Sequence, residues 1–349
     1  MSRNCSVMNL RQDLKTIDRE FRKSHSWLKY QSAIGLTISL VSAGVMIAVA
    51  TLYYFGIVPA LLAIVLIAFF QSFLHEIEHD TFHNLYFKNQ RGKQAALLTF
   101  CWVFKPNTMN PFMRKTIHLH HHVHSGTPED IEERLISNGL PYRVRRFLIL
   151  ADILFCFTQF RTLIREAKDF KPLTIMTCIY PMHAIFTAIW VLWASFYVVA
   201  GLNATFGLSL ATFSFVAGHI AIFNFLMVVY ILPSLLRTFS LHFMTTSLHY
   251  YGGVDSVLKQ TQVFDKWYFL PFQLFCCAFG QSHAIHHIYV PQPFYIRHLT
   301  RKASLVKMKE AGVCFNDMGT FVRNNAYPEI EGTAAESDVH DGHAAPSHS

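Results

Sequence analysis

No Lys, Arg, Asp or Glu occurs between Ala33 and Leu74, and none between Pro172 and Leu236. In a chain of 349 residues this constrains the fold more than any other feature. A helix that crosses a bilayer needs about 20 apolar residues, so each uncharged stretch has room for two. Gly56-Ile57-Val58-Pro59 marks a turn within the first and predicts helices at 33–55 and 59–74. The run Gly201 to Gly207 marks a turn within the second and predicts helices at 173–199 and 208–232. The expected fold is an all-α integral membrane protein with four transmembrane helices in two hairpins. A hydrophobic share of 52 % against 15 % charged residues agrees with this rather than with two soluble domains.

The charges outside these stretches set the expected orientation. Neither turn carries a base, whereas Arg11, Lys15, Arg19, Arg22, Lys23 and Lys29 precede the first span and the middle segment is rich in Lys and Arg. The positive-inside bias places both termini and the middle segment in the cytoplasm, at the inner membrane of a bacterium or the endoplasmic reticulum of a eukaryote. Residues 1–32 read as a basic cytoplasmic arm, too polar for a cleaved signal peptide. Residues 328–349, rich in Ala, Ser, Gly and acids, read as a disordered tail. The net charge of +8 follows from topology and anionic headgroups, and no nucleic-acid module is present to suggest another partner. Seven cysteines without a C-x-x-C pair read as reduced packing residues. Segments 95–104, 147–160 and 263–279 are too short or interrupted for spans and read as interfacial or cap helices.

Twenty histidines are present, and most of the informative ones fall in three groups. His75 and His79 stand four residues apart, within the pattern H-E-x-x-H. His118, His121 and His122 form H-x-x-H-H, and His283, His286 and His287 repeat it. Positions i, i+3 and i+4 share one helical face, so each group aims its rings at one point. The H-E-x-x-H motif alone would fit a zinc hydrolase with Glu76 as base. Eight imidazoles exceed one tetrahedral zinc site, however, and suit two metals with open positions. Imidazole chemistry alone admits iron, zinc or copper. A transporter or sensor would instead use His183 and His219, which lie inside the uncharged stretches. His83, His120 and His124 sit beside the groups without matching their pattern. Glu76, Glu78, Asp80, Glu129, Asp130 and Asp255 are candidate acceptors for ring N–H groups, with Asp80 and Asp255 the first choices.

The order H-x-x-x-H, H-x-x-H-H, H-x-x-H-H, interleaved with two hydrophobic hairpins and followed by a proline in HHIYVPQP, resembles the membrane fatty acid desaturase and hydroxylase superfamily. The resemblance covers roughly residues 30–327 and marks 33–327 as the catalytic domain, with a cytoplasmic histidine-rich cap. It implies two non-haem irons, with O2 as co-substrate. It also implies a ninth ligand after the fourth span, which His249 in the segment TTSLHYYG supplies, with His242 its competitor. The implied metal set is therefore His75, His79, His118, His121, His122, His249, His283, His286 and His287. A fatty acyl or similar amphiphilic substrate is expected. Desaturation leads, with hydroxylation or decarboxylation to a terminal alkene as alternatives that use the same ligands. The chain has no flavin or nicotinamide fingerprint, no cysteine pairs for a cluster and no haem domain, so electrons are expected from an external ferredoxin, rubredoxin or cytochrome.

Overall fold

The computed structural model describes residues 3–152 and 180–328. Among them the regular structure is helical, and the only β pairing is two isolated bridges, His249 with Thr261 and Val263 with Phe315. Among the described residues four helices are long and apolar enough to cross a membrane: Ser26–Tyr54, Ala60–Phe82, Met182–Phe206 and Ile220–Leu248. Their apolar surfaces are widely exposed, with Leu40, Ile47, Leu61, Val198 and Phe206 among them. A water-soluble protein rarely leaves so much apolar surface open. The chain is an integral membrane protein.

The helix α1 (Arg3–Ser24) covers most of the expected arm. It docks through Leu10 and Leu14 onto Ile285, Ile288 and Met308, and Arg11 Nε donates to Ile288 O at 3.1 Å. A 3-10 turn leads into α2 (Gln31–Tyr54), which packs on α3 (Ala60–Phe82) through Met46, Val49, Ala63 and Ile67. Pro59, in an extended conformation, caps α3. This helix runs eight residues beyond the expected end at Leu74 and so carries the whole first histidine group. Next come α4 (Arg91–Phe104) and α5 (Pro111–His124). Asn110 starts α5 by accepting from the Phe112 amide at 3.0 Å, and Pro111 fills the first helical position, where no N–H is needed. Two shorter helices follow, α6 (Ile131–Leu135) and α7 (Val144–Ala151).

The third span, α8 (Met182–Phe206), ends on Gly207, whose φ of +65° is the left-handed cap that glycine adopts at little cost. The expected turn at 201–207 is therefore displaced to 207–213, where the Asn203 amide bonds both the N–H and the carbonyl of Leu210. The expected start of this span at 173, most of the segment 147–160 and the tail from 329 lie outside the described residues. After α9 (Ser214–Gly218), the fourth span consists of α10 (Ile220–Leu226), a π turn at Met227–Ile231, and α11 (Leu232–Leu248). Pro233 lacks an amide donor, and the wider turn just before it accommodates that loss. The span thus ends 16 residues later than the sequence suggests. Gln71 Nε2 donates to Ser234 Oγ at 3.0 Å and fixes the register of α3 against α11. In the segment 263–279 only a 3-10 turn and the short α12 (Leu270–Gln273) are helical. The chain continues through α13 (Phe279–Ile288) and α14 (Phe294–Glu310). The thiols of Cys101, Cys276, Cys277 and Cys314 are free, and the side chains of Cys5, Cys156 and Cys178 fall outside the description.

Candidate metal centre

Two adjoining groups of imidazoles form where α3, α5, α11 and α13 meet. The first holds His79, His83, His118, His122 and His286; the second holds His121, His249, His283 and His287. Within each group one ligating atom per residue lies within 4.8 Å of every other. Helices α5 and α13 serve both groups, because adjacent residues in H-x-x-H-H point to different sides of the helix.

The contacts inside each group are between Nε2 atoms. In the first, His83 and His118 approach to 2.9 Å, His122 and His118 to 3.1 Å, and His286 lies 3.1 Å from both His83 and His122. In the second, His283 and His287 approach to 3.0 Å, His249 and His287 to 3.1 Å, His283 and His249 to 3.2 Å, and His121 and His287 to 3.4 Å.

Several Nδ1 atoms face outward onto acceptors. His118 meets Glu132 Oε2 at 2.8 Å, His121 meets both Asp130 oxygens at 3.0 Å, and His287 meets Gln260 Oε1 at 3.1 Å. The Nδ1 of His249 meets the Thr245 carbonyl at 2.8 Å and Glu133 Oε1 at 3.3 Å. A neutral ring that donates through Nδ1 presents a lone pair at Nε2.

Electrostatics favours these neutral rings. Burial pushes His118, His283, His286 and His287 well below the ordinary histidine value. Burial, aided by the charge of His121, takes His249 down to about 3. His121 is the exception: burial pulls it downward, but the Asp130 carboxylate overrides this and raises the ring to about 9, so without an ion it stays protonated and a metal would displace its Nε2 proton. Glu133 is pushed up to about 8 by burial, and Thr245 Oγ1 donates to its Oε1 at 2.7 Å.

Where a neutral ring donates through Nδ1, as at His118, His249 and His287, its Nε2 lone pair faces the other rings, and such lone pairs repel one another unless a cation lies among them. Nitrogens bonded at about 2.1 Å to one ion, at right angles, stand about 3.0 Å apart. The observed spacings match. His79 adds a second sign: it is 2 % exposed and both ring nitrogens lack a hydrogen-bond partner, although its ring lies 4.4 Å from that of His286 and 4.6 Å from that of His118. Burying two such atoms unmatched is costly, and metal coordination would satisfy one of them. The residues present therefore fit two metal ions.

Of the nine residues implied by the sequence, eight fall in the two groups and His75 does not. His75 lies one turn deeper on α3, where Arg114 Nη1 faces its Nδ1 at 3.3 Å. His83, set aside in the sequence, stands in the first group instead. His75 and His79 do not converge on one point, and Glu76 is held by Arg297 Nη2 at 2.9 Å, an arrangement unlike a zinc hydrolase site. His242 meets the Leu150 carbonyl, and His120 stacks on His124 away from the groups. Asp255 pairs with Lys259 at 3.0 Å, and the Nδ1 of His249 is met by Thr245 and Glu133 instead. Asp80 serves Arg297, Tyr86 and the Phe294 amide, and its Oδ1 is 3.8 Å from His79 Nδ1, too far for a hydrogen bond. The acceptors missed in the sequence are Glu132, Glu133 and Gln260. The signal for the first two was the turn after Asp130, whose side chain caps α6 at the Glu133 amide.

A cavity of about 90 Å³ adjoins both groups, reaching His79, His118, His121, His249 and His283 on one side and Ile117, Leu135, Leu241 and Phe279 on the other. Polytopic helices enclosing two all-imidazole groups beside a part-apolar cavity define a membrane metalloprotein of the histidine-box class. The Fatty acid desaturase family matches residues 55–317, three quarters of the sequence, and the chain belongs to that family. It is accordingly an oxidoreductase with a lipid substrate. No curated protein matches the chain closely enough to count as a relative.

Proposed function

We propose that the chain is an O2-dependent diiron oxidoreductase that acts on a fatty acyl chain, with desaturation as its reaction. The observation that carries this reading is the pair of converging Nε2 groups beside the cavity. His79, His83, His118, His122 and His286 would hold one iron, and His121, His249, His283 and His287 the other. When bound, the iron pair supplies the one-electron chemistry that an unactivated C–H bond requires and that acid-base side chains cannot. The reaction balances as –CH2–CH2– plus O2, two electrons and two protons giving –CH=CH– and two waters. The electrons come from a ferredoxin, rubredoxin or cytochrome.

The protein's own part is positional. Asp130, Glu132, Glu133 and Gln260 hold Nδ1 protons and so keep Nε2 lone pairs inward. Ile117, Leu135, Leu241 and Phe279 offer the chain an apolar wall and keep water from the reacting carbons. Residues 33–327 form the catalytic domain. Its spans are arranged as two hairpins, both termini are cytoplasmic, and the histidine layer lies in a cap on that side, a reading that the positive-inside bias of the basic segments supports.

The test is gas chromatography–mass spectrometry of lipids and headspace from a host expressing the chain, beside a His121→Ala control. A new double bond that disappears in the control supports the reading. A histidine-dependent alcohol, or an alkene one carbon shorter than its acid, keeps the diiron oxidoreductase and replaces desaturation. Full activity in His121→Ala and His286→Ala refutes the metal assignment.

A further inference from the structure

Arg237 lies in the fourth span, is 1 % exposed, and forms no ion pair among the described residues. Its Nη2 donates to Thr238 Oγ1 at 2.6 Å and to the Asn107 carbonyl at 3.4 Å, while Nε and Nη1 have no partner. The Asn107 side chain is fully buried, and neither atom of its amide has a partner. An ionised side chain inside a span is costly and marks a functional site by default. Nearby charge does not balance it. Glu78 is shared between Lys105 at 2.6 Å and Arg114 at 2.8 Å. Burial pushes the Asp152 carboxyl well above its ordinary value, with Arg237 drawing it only partly back. Lys105 and Arg114 thus share Glu78, Arg114 has Glu132 Oε1 at 3.7 Å besides, and the buried Arg237 is left with no carboxylate of its own.

The place of this excess charge is informative. Because Gln71 bonds Ser234, Arg237 stands level with Leu74, about 7 Å from His79 along the helix. The cavity reaches Thr108, next to Asn107, and Leu241, one turn along from Arg237; Arg114 and Asp152 also line it. We propose that Arg237, with Asn107, anchors the carboxylate of a free fatty acid at the membrane-side end of the cavity. The planar fork of a guanidinium matches a carboxylate through two parallel N–H bonds, and the Asn107 amide adds a third donor. A thioester offers no negative charge there. An acid held one helical turn from His79 presents the carbons nearest its carboxylate to the imidazole groups. The assignment rests on the cavity being the substrate site proposed above.

The experiment is displacement of radiolabelled dodecanoic acid from the iron-loaded full chain in detergent, by dodecanoic acid, methyl dodecanoate, dodecanoyl-CoA and inorganic phosphate. The free acid should compete roughly tenfold better than the ester, as expected for hydrogen bonds to a charged group. Arg237→Gln should abolish that preference and Arg237→Lys keep part of it, with iron content unchanged in both. His286→Ala should lose product yet keep the preference, which separates failure of the anchor from failure of the oxidoreductase reading. An ester that competes as well as the acid on the unaltered protein overturns the proposal, as does a preference that survives Arg237→Gln. Stronger competition by the CoA ester or by phosphate would give the site to a phosphate and overturn it too. If Arg237→Gln does not fold, the competition on the unaltered protein decides.

Discussion

Asp130 holds two positions at once, and replacing it with asparagine separates them. Its side chain caps α6 at the Glu133 amide and, 1 % exposed, places both oxygens 3.0 Å from His121 Nδ1. Asparagine caps helices as well as aspartate does, so above about pH 9, where the metal-free His121 is neutral and no ion pair is lost, Asp130→Asn should leave the fold almost unchanged. The ring loses its anionic acceptor, however, and an amide NH2 turned toward Nδ1 would favour the tautomer with its proton on Nε2, facing the second group. Loss of such an orienting partner costs metal affinity by about 10- to 100-fold, or about 1.4 to 2.7 kcal/mol. Iron retention against a graded chelator, read beside thermal unfolding of the metal-free protein, measures both halves. Asp130→Ala, which also loses the cap, should lower the metal-free stability by a further ~1 kcal/mol. Iron affinity within twofold of the unaltered protein in Asp130→Asn would refute the reasoning. So would a loss matched by equal destabilisation of the metal-free fold.

Two further substitutions probe other parts of the site. His83→Ala should reduce iron from about two per chain to about one or less, while His75→Ala should retain about two, since ligation at these imidazoles follows the geometry of the groups; elemental analysis that reverses this order would restore the register read from H-E-x-x-H. Arg297→Met strands Glu76 and Asp80, which are 2 % and 0 % exposed, so unfolding in detergent should show a loss of about 3 to 5 kcal/mol. A loss below ~1 kcal/mol would mean that those carboxylates have another source of compensation.

The spans and the two H-x-x-H-H groups were legible in the sequence because hydropathy and helical spacing act locally. The first group was not. His75, His79 and His83 follow one another at four-residue intervals, so helical phase places either adjacent pair on one face, and depth alone separates them. The expected span ended at Leu74 because the uncharged stretch stops there, just before Glu76, Glu78 and Asp80. In the fold they are buried, answered by Arg297, Lys105 and Arg114 from distant segments. That compensation carries α3 on to Phe82 and brings His83 rather than His75 among the converging imidazoles. Asp255 failed as an orienting acid for a related reason: proximity in sequence to His249 says little where the chain turns away, and Glu133 reaches that ring from α6. The displaced end of the fourth span follows the same pattern, since Arg237 marks the end of the uncharged stretch but not the end of the helix.

The sharing of α5 and α13 between the two imidazole groups would make two bound ions mutually dependent. His118 and His122 serve one site from the same helix that gives His121 to the other, and His286 stands likewise between His283 and His287. An ion that settles in either site fixes the rotation of both helices about their axes, and with it the aim of the remaining rings. The second ion then meets a site already assembled, so half-filled protein should be scarce and each turnover should begin from a matched pair.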